Sequence, residues 1–192
     1  MNGYMDSLSI KKKVSRSDMM SAYESLFLRA IVGFESFCEQ LFFDIVDHRV
    51  FYKRREVSTA LRRIPSKKQN QVMRRIVFQD DAYLEWIPWD KTRNRADKYL
   101  KEGRPFSLLD SNDIGTLTKM VAVRNAIAHA SEHAQARFKR TVLSQVNLVP
   151  ADRNAAGLLR SVFSSNPPLN YFQFYSNSLR NMAARVYGAP VR

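Results

Sequence analysis

The chain has 192 residues, of which 45% are hydrophobic and 26% charged, so it is long enough for one domain with a core and too apolar for a disordered chain. Its one cysteine excludes a disulfide framework within the chain and a metal cage of thiolates. The net charge of +13 favours a polyanionic partner, and nucleic acid is the commonest polyanion of the cytoplasm.

Neither a membrane span nor a secretion signal is predicted. Arg29 interrupts the most apolar stretch, and the basic N-terminus has no apolar stretch with a cleavage site of small residues. We therefore expect a cytoplasmic protein that does not bind membranes. We also expect one domain over residues 1–192, with residues 1–17 as a flexible basic arm.

Hydrophobic spacing predicts helices in the first half of the chain. A long amphipathic helix is expected from about Asp18 to Val50, and Gly33 inside it is interpreted as a point of close packing. Its apolar residues recur every three or four positions, at Met20, Tyr23, Phe27, Ile31, Phe34, Cys38, Leu41 and Ile45. A small helix is predicted over Thr92–Glu102, with Thr92 as its cap and Gly103 as its stop.

The second half of the chain is also predicted to be helical. Ser111 or Asp113 is expected to cap a helix that continues to about Arg140. A modest helix over Ala151–Phe163 and a last apolar stripe from Tyr171 to Val186 follow. There is no internal repeat and no clear strand pair, so the predicted class is all-α, a bundle of four to five main helices with short accessory helices.

Two of the three histidines lie close together, in the segment His129-Ala-Ser-Glu132-His133. This segment matches the H-x-x-E-H pattern of some zinc proteases, and two histidines four residues apart on a helix can bind one metal ion. A catalytic zinc needs a third protein ligand, and Asp152 is the only acidic residue after Glu132. We therefore predict no metal site.

Arg124 and His129 suggest a site that cleaves RNA without a metal. An arginine can bind a phosphate through two hydrogen bonds, and a histidine can exchange a proton with a ribose hydroxyl or a leaving oxygen. RNA supplies its 2′-OH as the nucleophile, and DNA has no equivalent group. On a helix Asn125 shares a face with His129, whereas Arg124 lies about 140° around the axis. The long Arg124 side chain would bridge part of that angle, or the helix would end or bend there.

A purely structural role is the competing interpretation, because most arginine and histidine pairs at this spacing have no catalytic role. Against it, Arg124 occupies the apolar stripe of Leu117, Val121 and Ala128, where an unpaired charge is costly. Small residues also recur every four positions, at Ala122, Ala126, Ala130 and Ala134. Such a row allows close approach of another helix, from this chain or from a symmetry mate.

The segment Val123-Arg124-Asn125-Ala126-Ile127-Ala128-His129 resembles the signature of HEPN domains (higher eukaryotes and prokaryotes nucleotide-binding). That signature is an arginine, usually followed by a polar residue, and a histidine after four to six intervening positions. The stretches 98–106 and 34–37 also resemble prokaryotic members. The resemblance implies an all-α bundle and a homodimer that brings two motifs to one cleft. It also implies a metal-independent endoribonuclease without a cofactor, often in toxin–antitoxin or phage-defence systems.

The same resemblance implies roles for individual residues. Arg124 would bind the phosphate, His129 would be the acid and base, and Asn125 would orient the substrate or the histidine. Glu35 would be a supporting acid, and an antitoxin or another protein regulator would be a further partner. Some family members are catalytically silent, so a non-catalytic nucleic-acid-binding or adaptor module on the same fold remains an alternative. Ser131 stands where one subgroup has a tyrosine, so that subgroup's nucleotide transfer is not expected.

Basic residues outside the motif are candidates for RNA binding, namely Arg74, Arg75, Arg137, Lys139 and Arg140. Another interpretation treats Val57–Ile64 and Ser66–Phe78 as the helix-turn-helix of a DNA-binding regulator.

Overall fold

The computed structural model describes residues 14–46, 77 and 84–188. These residues are mostly helical, which confirms the predicted predominance of helix. The helices are α1 (Arg16–Val46), where the described range stops, α2 (Trp89–Tyr99), α3 (Ser111–Ala128), α4 (Glu132–Thr141), α5 (Ala155–Arg160) and α6 (Tyr171–Tyr187), and Val77 is also helical. A hairpin is formed by β1 (Val162–Ser165) and β2 (Pro168–Asn170). Short 3-10 turns occur at Lys101–Gly103, Phe106–Leu108, Leu143–Gln145 and Pro150–Asp152.

The chain divides into two compact units. Of the described residues, unit 1 takes 14–31 and 119–177, and unit 2 takes 32–46, 77, 84–118 and 178–188. The single domain expected over residues 1–192 stays a prediction. Helix α1 begins at Arg16, which lies inside the predicted basic arm of residues 1–17. Residues 1–13 of that arm lie outside the described residues.

Unit 1 buries Tyr23, Phe27 and Ile31 of the stripe that the sequence predicts for the first half of α1, whereas Met20 is half-exposed. Tyr23 is 3% exposed, and Phe27 is fully buried. The Tyr23 ring meets Phe172 edge-on with centroids 5.9 Å apart, and the Phe27 ring lies 5.8 Å from Tyr175. These contacts hold α6 against α1 within the unit. Nη2 of Arg16 adds an ion pair with Oδ1 of Asp152 at 2.7 Å.

Unit 2 is built around an aromatic cluster. The Phe42 ring lies 5.3 Å from Trp86 and 6.1 Å from Phe106, and Trp89 lies 6.1 Å from Phe106. Trp86 and Trp89 are 1% and 3% exposed, and Nε1 of Trp86 donates to Oε2 of Glu39 at 3.2 Å. Both tryptophans therefore belong to the core of this unit.

Two details of the predicted helices in unit 2 are wrong. Helix α2 begins at Trp89 and not at Thr92, because the buried Thr92 hydroxyl donates to the Trp86 carbonyl at 2.6 Å and caps no helix amide. The close packing expected at Gly33 does not occur, since a Cβ built there meets no described heavy atom within 4 Å, apart from its chain neighbours and its own helix backbone. Gly103 ends the 3-10 turn that follows α2, as predicted for the stop of this helical segment, and it has a left-handed conformation with φ 65°.

The N-terminus of α3 is capped by Asp110 together with Asp113. The Asp113 amide donates to Oδ1 of Asp110 at 2.9 Å, and the Asp110 amide donates to Oδ2 of Asp113 at 3.2 Å. This reciprocal pair satisfies two donors that the helix itself cannot. The hydrogen bond from the Asp113 amide is the main cause that lowers the pKa of Asp110. Arg185 of α6 also lies 2.6 Å from Asp113, through Nη2 and Oδ1.

The region predicted as one helix over Ala151–Phe163 is shorter and ends in a hairpin. Asn154 caps α5 by accepting from the Gly157 amide at 2.8 Å, and the helix stops at Arg160. Strands β1 and β2 pair antiparallel, from Val162 opposite Asn170 to Ser165 opposite Pro168. The prediction of no strand pair is therefore wrong. Asn166 and Pro167 are turn formers, and a proline is tolerated at the first residue of a strand.

Several predictions concern residues that lie outside the described residues. They are the helices Val57–Ile64 and Ser66–Phe78 except for Val77, the stretch of the first helix after Val46, and the candidate RNA-binding residues Arg74 and Arg75.

Candidate active site at the junction of α3 and α4

Helix α3 ends within the candidate motif. Its last residue is Ala128, and the His129 amide still donates to the Asn125 carbonyl at 2.9 Å. Ser131 then caps α4, because its Oγ accepts from the Ala134 amide at 3.3 Å. The prediction of one helix to Arg140 is therefore wrong, and the alternative that the helix ends near the motif holds.

Gln135 ties the two helices together. Its Nε2 donates to the carbonyl of Ala126 at 2.9 Å, which is one of the last-turn carbonyls that α3 cannot satisfy internally. The bond spans the three-residue link 129–131. The row of small residues is divided by that link, since Ala126 lies on α3 and Ala134 lies on α4. It therefore does not form one continuous face of one helix.

Arg124 is half-buried, and its polar contact is with its neighbour. Nη1 of Arg124 lies 3.4 Å from Oδ1 of Asn125, which is long for a hydrogen bond. No carboxylate of the described ranges forms an ion pair with Arg124. Leu117 and Val121 on the same stripe are buried as predicted, whereas Ala128 is exposed. The stripe thus reaches solvent near Arg124. The guanidinium can therefore stay hydrated, and most of its N–H donors remain available to a ligand.

His129 is exposed in the link after α3. Within the part of the chain that the structure describes, its imidazole has no hydrogen-bond partner, and no hydrogen bond joins it to Arg124. Asn125 connects the two residues instead. Its side-chain oxygen contacts Arg124, and its backbone oxygen accepts from the His129 amide. Both ring nitrogens of His129 are therefore available to a substrate.

The residues of the alternative zinc pattern are also exposed. Glu132 and His133 occupy the first turn of α4. Across residues 14–46, 77 and 84–188, no three His, Cys, Asp or Glu side chains are grouped so as to hold a metal ion.

Three candidate RNA-binding residues lie on α4. Lys139 and Arg140 are exposed in its last turn, Arg137 is half-exposed, and no described carboxylate forms an ion pair with any of them. The described part of unit 1 has nine Lys and Arg against four Asp and Glu, a net charge of +5. The described part of the unit that contains Arg124 and His129 is therefore electropositive.

Glu35 belongs to unit 2, whereas Arg124, Asn125 and His129 belong to unit 1. It lies on α1 and is 5% exposed. Burial raises the pKa of the neighbouring Cys38 thiol, and the Glu35 charge raises it further. Its role as a supporting acid stays a prediction.

Sequence reasoning missed Gln135 and the role of Ser131. Ser131 followed by Glu132 is a typical helix start and was a usable signal for the break. Nothing local marks Gln135, because its partner is the carbonyl of Ala126, nine residues earlier.

No family model, curated protein or solved structure matches this chain. In the described ranges no helix has both the length and the apolar character that crossing a membrane requires. The functional conclusion therefore rests on the side chains at the junction of α3 and α4.

Proposed function

We propose that the protein is a metal-independent endoribonuclease of the HEPN type, which acts as a homodimer of HEPN-like all-α bundles. The observation that carries the proposal is the junction of α3 and α4. There an exposed imidazole, that of His129, follows the end of a helix whose Arg124 guanidinium contacts Asn125 and no described carboxylate.

The proposed chemistry is transesterification within RNA. Arg124 binds the non-bridging oxygens of the phosphate and stabilises the charge that develops on them. A neutral His129 takes the proton of the 2′-OH, and the 2′ oxygen attacks phosphorus. The bond to the 5′ oxygen breaks, and a protonated imidazole gives that oxygen its proton. In a dimer, the two copies of His129 divide these roles. The products are a 2′,3′-cyclic phosphate and a 5′-hydroxyl.

Charge supports the choice of substrate. The +5 of unit 1 and the cations of α4, Arg137, Lys139 and Arg140, would follow the phosphate backbone on either side of the cut. Following what the HEPN resemblance implies, we further propose a toxin or phage-defence effector in the cytoplasm, restrained by an antitoxin or another protein regulator.

A non-catalytic RNA-binding or adaptor module is the second candidate. One observation favours it. A catalytic base is normally oriented by another group, and no described residue hydrogen-bonds the His129 imidazole. This candidate predicts salt-sensitive RNA binding without a product.

The test is RNA cleavage in the presence of EDTA. Wild type, His129→Ala and His133→Ala are incubated with total RNA and with a defined single strand, and the product ends are analysed. We expect 2′,3′-cyclic phosphate ends from wild type and His133→Ala, and no product from a folded His129→Ala. His133 is the matched control, because it is also exposed and lies four residues away. Equal cleavage by His129→Ala would exclude the proposed mechanism, and binding without cleavage by wild type would favour the second candidate.

A further inference from the structure

Two arginines from different elements of unit 1 meet at one carboxylate. Nη2 of Arg16, the first residue of α1, lies 2.7 Å from Oδ1 of Asp152, and Nη2 of Arg160, the last residue of α5, lies 3.6 Å from the same oxygen. Asp152 itself ends the 3-10 turn Pro150–Asp152, and its side chain is 21% exposed. We call these three residues the Asp152 cluster. It holds two positive charges against one negative charge and is therefore cationic.

Arg160 is the member of the cluster whose hydrogen-bonding capacity is left open. Its distance of 3.6 Å from Asp152 is too long for a hydrogen bond. Among the described residues no group accepts a hydrogen bond from its guanidinium, although the side chain is only 33% exposed. An ion pair of this length between partly exposed side chains contributes little to stability. Its N–H donors therefore remain available for a stronger acceptor.

The ligand that fits such a pair of guanidinium groups is a phosphate. Arginine binds phosphate through two parallel N–H donors, and two arginines at one point can share the oxygens of one phosphate. Asp152 has one charge, and the same oxygen, Oδ1, is the one that both arginines approach. A phosphodiester adds two charged oxygens to the cluster and would take up the donors that Asp152 leaves.

We propose that Arg16 and Arg160 bind a phosphate of the RNA chain other than the one that is cut, and that Asp152 holds the two arginines together in the absence of RNA. The inference rests on the proposed function for the identity of the substrate, and it uses none of the residues proposed to cut it. It also gives Asp152 a definite effect. Because its carboxylate repels a phosphate and competes for Arg16, it weakens RNA binding at this site.

Two observations favour a phosphate of a polymer over a free phosphate. Lys11, Lys12 and Lys13 precede Arg16 in the sequence, and the described part of unit 1 has a net charge of +5. A chain of phosphates gains from such an excess of cations around the cluster, whereas a single phosphate gains from the cluster alone. An acidic protein is a poorer ligand, because its carboxylate would only replace the one that Asp152 already supplies.

The first test is RNA binding by the full chain, as wild type, Arg160→Gln and Arg29→Gln. The probe is a fluorescent 2′-O-methylated single strand, which lacks the 2′-OH needed for cleavage, and its anisotropy is measured at several salt concentrations. Arg29 is the matched control, because it is an exposed arginine on the part of α1 that belongs to unit 1. We expect Arg160→Gln to weaken binding about fivefold and to lower the salt dependence by about one phosphate contact. We expect Arg29→Gln to weaken binding less than about twofold. Circular dichroism verifies that the variants fold.

The second test is Asp152→Asn, with Glu24→Gln as its control. Both substitutions remove one negative charge from unit 1, and Glu24 lies on α1 outside the cluster. We expect Asp152→Asn to bind the RNA about threefold more tightly than Glu24→Gln does, because the competing carboxylate is gone. The thermal unfolding temperature should fall, since the ion pair with Arg16 is lost. A lower unfolding temperature with binding no tighter than that of Glu24→Gln would mean that the cluster serves stability alone, and would overturn the inference.

A third measurement separates RNA from free phosphate. The unfolding temperatures of wild type and Arg160→Gln are compared with the 2′-O-methylated strand, with inorganic phosphate at the same phosphate concentration, and with chloride at equal ionic strength. We expect the strand, and not inorganic phosphate, to stabilise wild type more than Arg160→Gln. The reverse pattern would assign the cluster to free phosphate and overturn the RNA contact.

The outcomes separate this inference from the proposed function. Equal weakening of RNA binding by Arg160→Gln and Arg29→Gln overturns the phosphate contact, whatever the cleavage assays show. Weaker binding by Arg160→Gln in a protein that never cleaves RNA supports the contact and contradicts the ribonuclease. A wild type that binds no RNA overturns both.

Discussion

Nη1 of Arg124 lies 3.4 Å from Oδ1 of Asn125 on the last turn of α3. The backbone oxygen of the same asparagine accepts from the His129 amide at 2.9 Å. Asn125 therefore contacts the guanidinium through its side chain and the start of the histidine link through its backbone. An amide suits this place because it contacts the arginine without neutralising it.

Asn125→Asp tests this arrangement with a side chain of the same size. The new carboxylate would form an ion pair with Arg124 and compete with the phosphate of RNA. We expect RNA cleavage to fall about tenfold or more, while the thermal unfolding temperature is kept or rises. The measurement is single-turnover cleavage beside calorimetry, and unchanged cleavage would show that Arg124 does not meet the phosphate.

Arg124→Lys keeps the positive charge and removes the planar guanidinium group with its paired N–H donors. Because lysine cannot bind two phosphate oxygens in the bidentate manner of arginine, we expect a fall in kcat of roughly tenfold to a hundredfold. Arg153→Lys is the control, since Arg153 is an exposed arginine of the same unit. Equal effects of the two substitutions would indicate that only the overall charge matters.

Gln135→Leu removes the bond between α4 and the Ala126 carbonyl. We expect a loss of about 1 kcal/mol in the free energy of unfolding, as for one net hydrogen bond. We also expect a lower kcat with little change in KM, because Gln135 positions the link that holds His129 and touches no substrate. Gln145→Leu, an exposed glutamine of the turn Leu143–Gln145, serves as the control. A rise in KM alone would contradict the positioning role.

Gly157→Ala is expected to destabilise the protein by about 1–3 kcal/mol. A Cβ at Gly157 would lie 2.7 Å from the Cα of Asp152 and would collide with the Asp152 carbonyl, so the backbone must move. Gly33→Ala is the opposite case, because it adds a methyl group to an open helix position and is expected to stabilise by about 0.5–1 kcal/mol. Urea unfolding measures the change in the free energy of unfolding for each variant. If both variants are stabilised or both are destabilised, the packing described at these two glycines is wrong.

The Asp110 cap predicts an acid-dependent loss of stability. The Asp113 amide, and to a lesser degree Arg185, hold the pKa of Asp110 below its ordinary value of 3.8. Its stabilising effect is therefore complete above that value and disappears as the pH falls through the lowered pKa. Asp110→Asn should flatten the decline of unfolding free energy between about pH 4 and pH 2. The free energy of unfolding is measured by urea titration at each pH. If it declines as steeply with falling pH in Asp110→Asn as in wild type, other carboxylates cause the decline.

The sequence by itself determined what depends on local periodicity. The spacing of Tyr23, Phe27 and Ile31 predicted the buried face of α1, and the Arg124-Asn125-x-x-x-His129 pattern marked the candidate site that lies at the end of α3. Such patterns are visible because helix neighbours lie three or four residues apart. The net charge likewise follows from composition alone and already favoured a nucleic-acid partner.

Only the tertiary structure decided how α3 and α4 are joined and that a hairpin precedes α6. The helix break depends on Gln135 reaching the carbonyl of Ala126, and the hairpin depends on Phe163 stacking on Phe174, eleven residues later. Neither contact has a local signature, because each joins groups from two different elements of the fold. For the same reason, the exposure of His129 could not be read from its own segment.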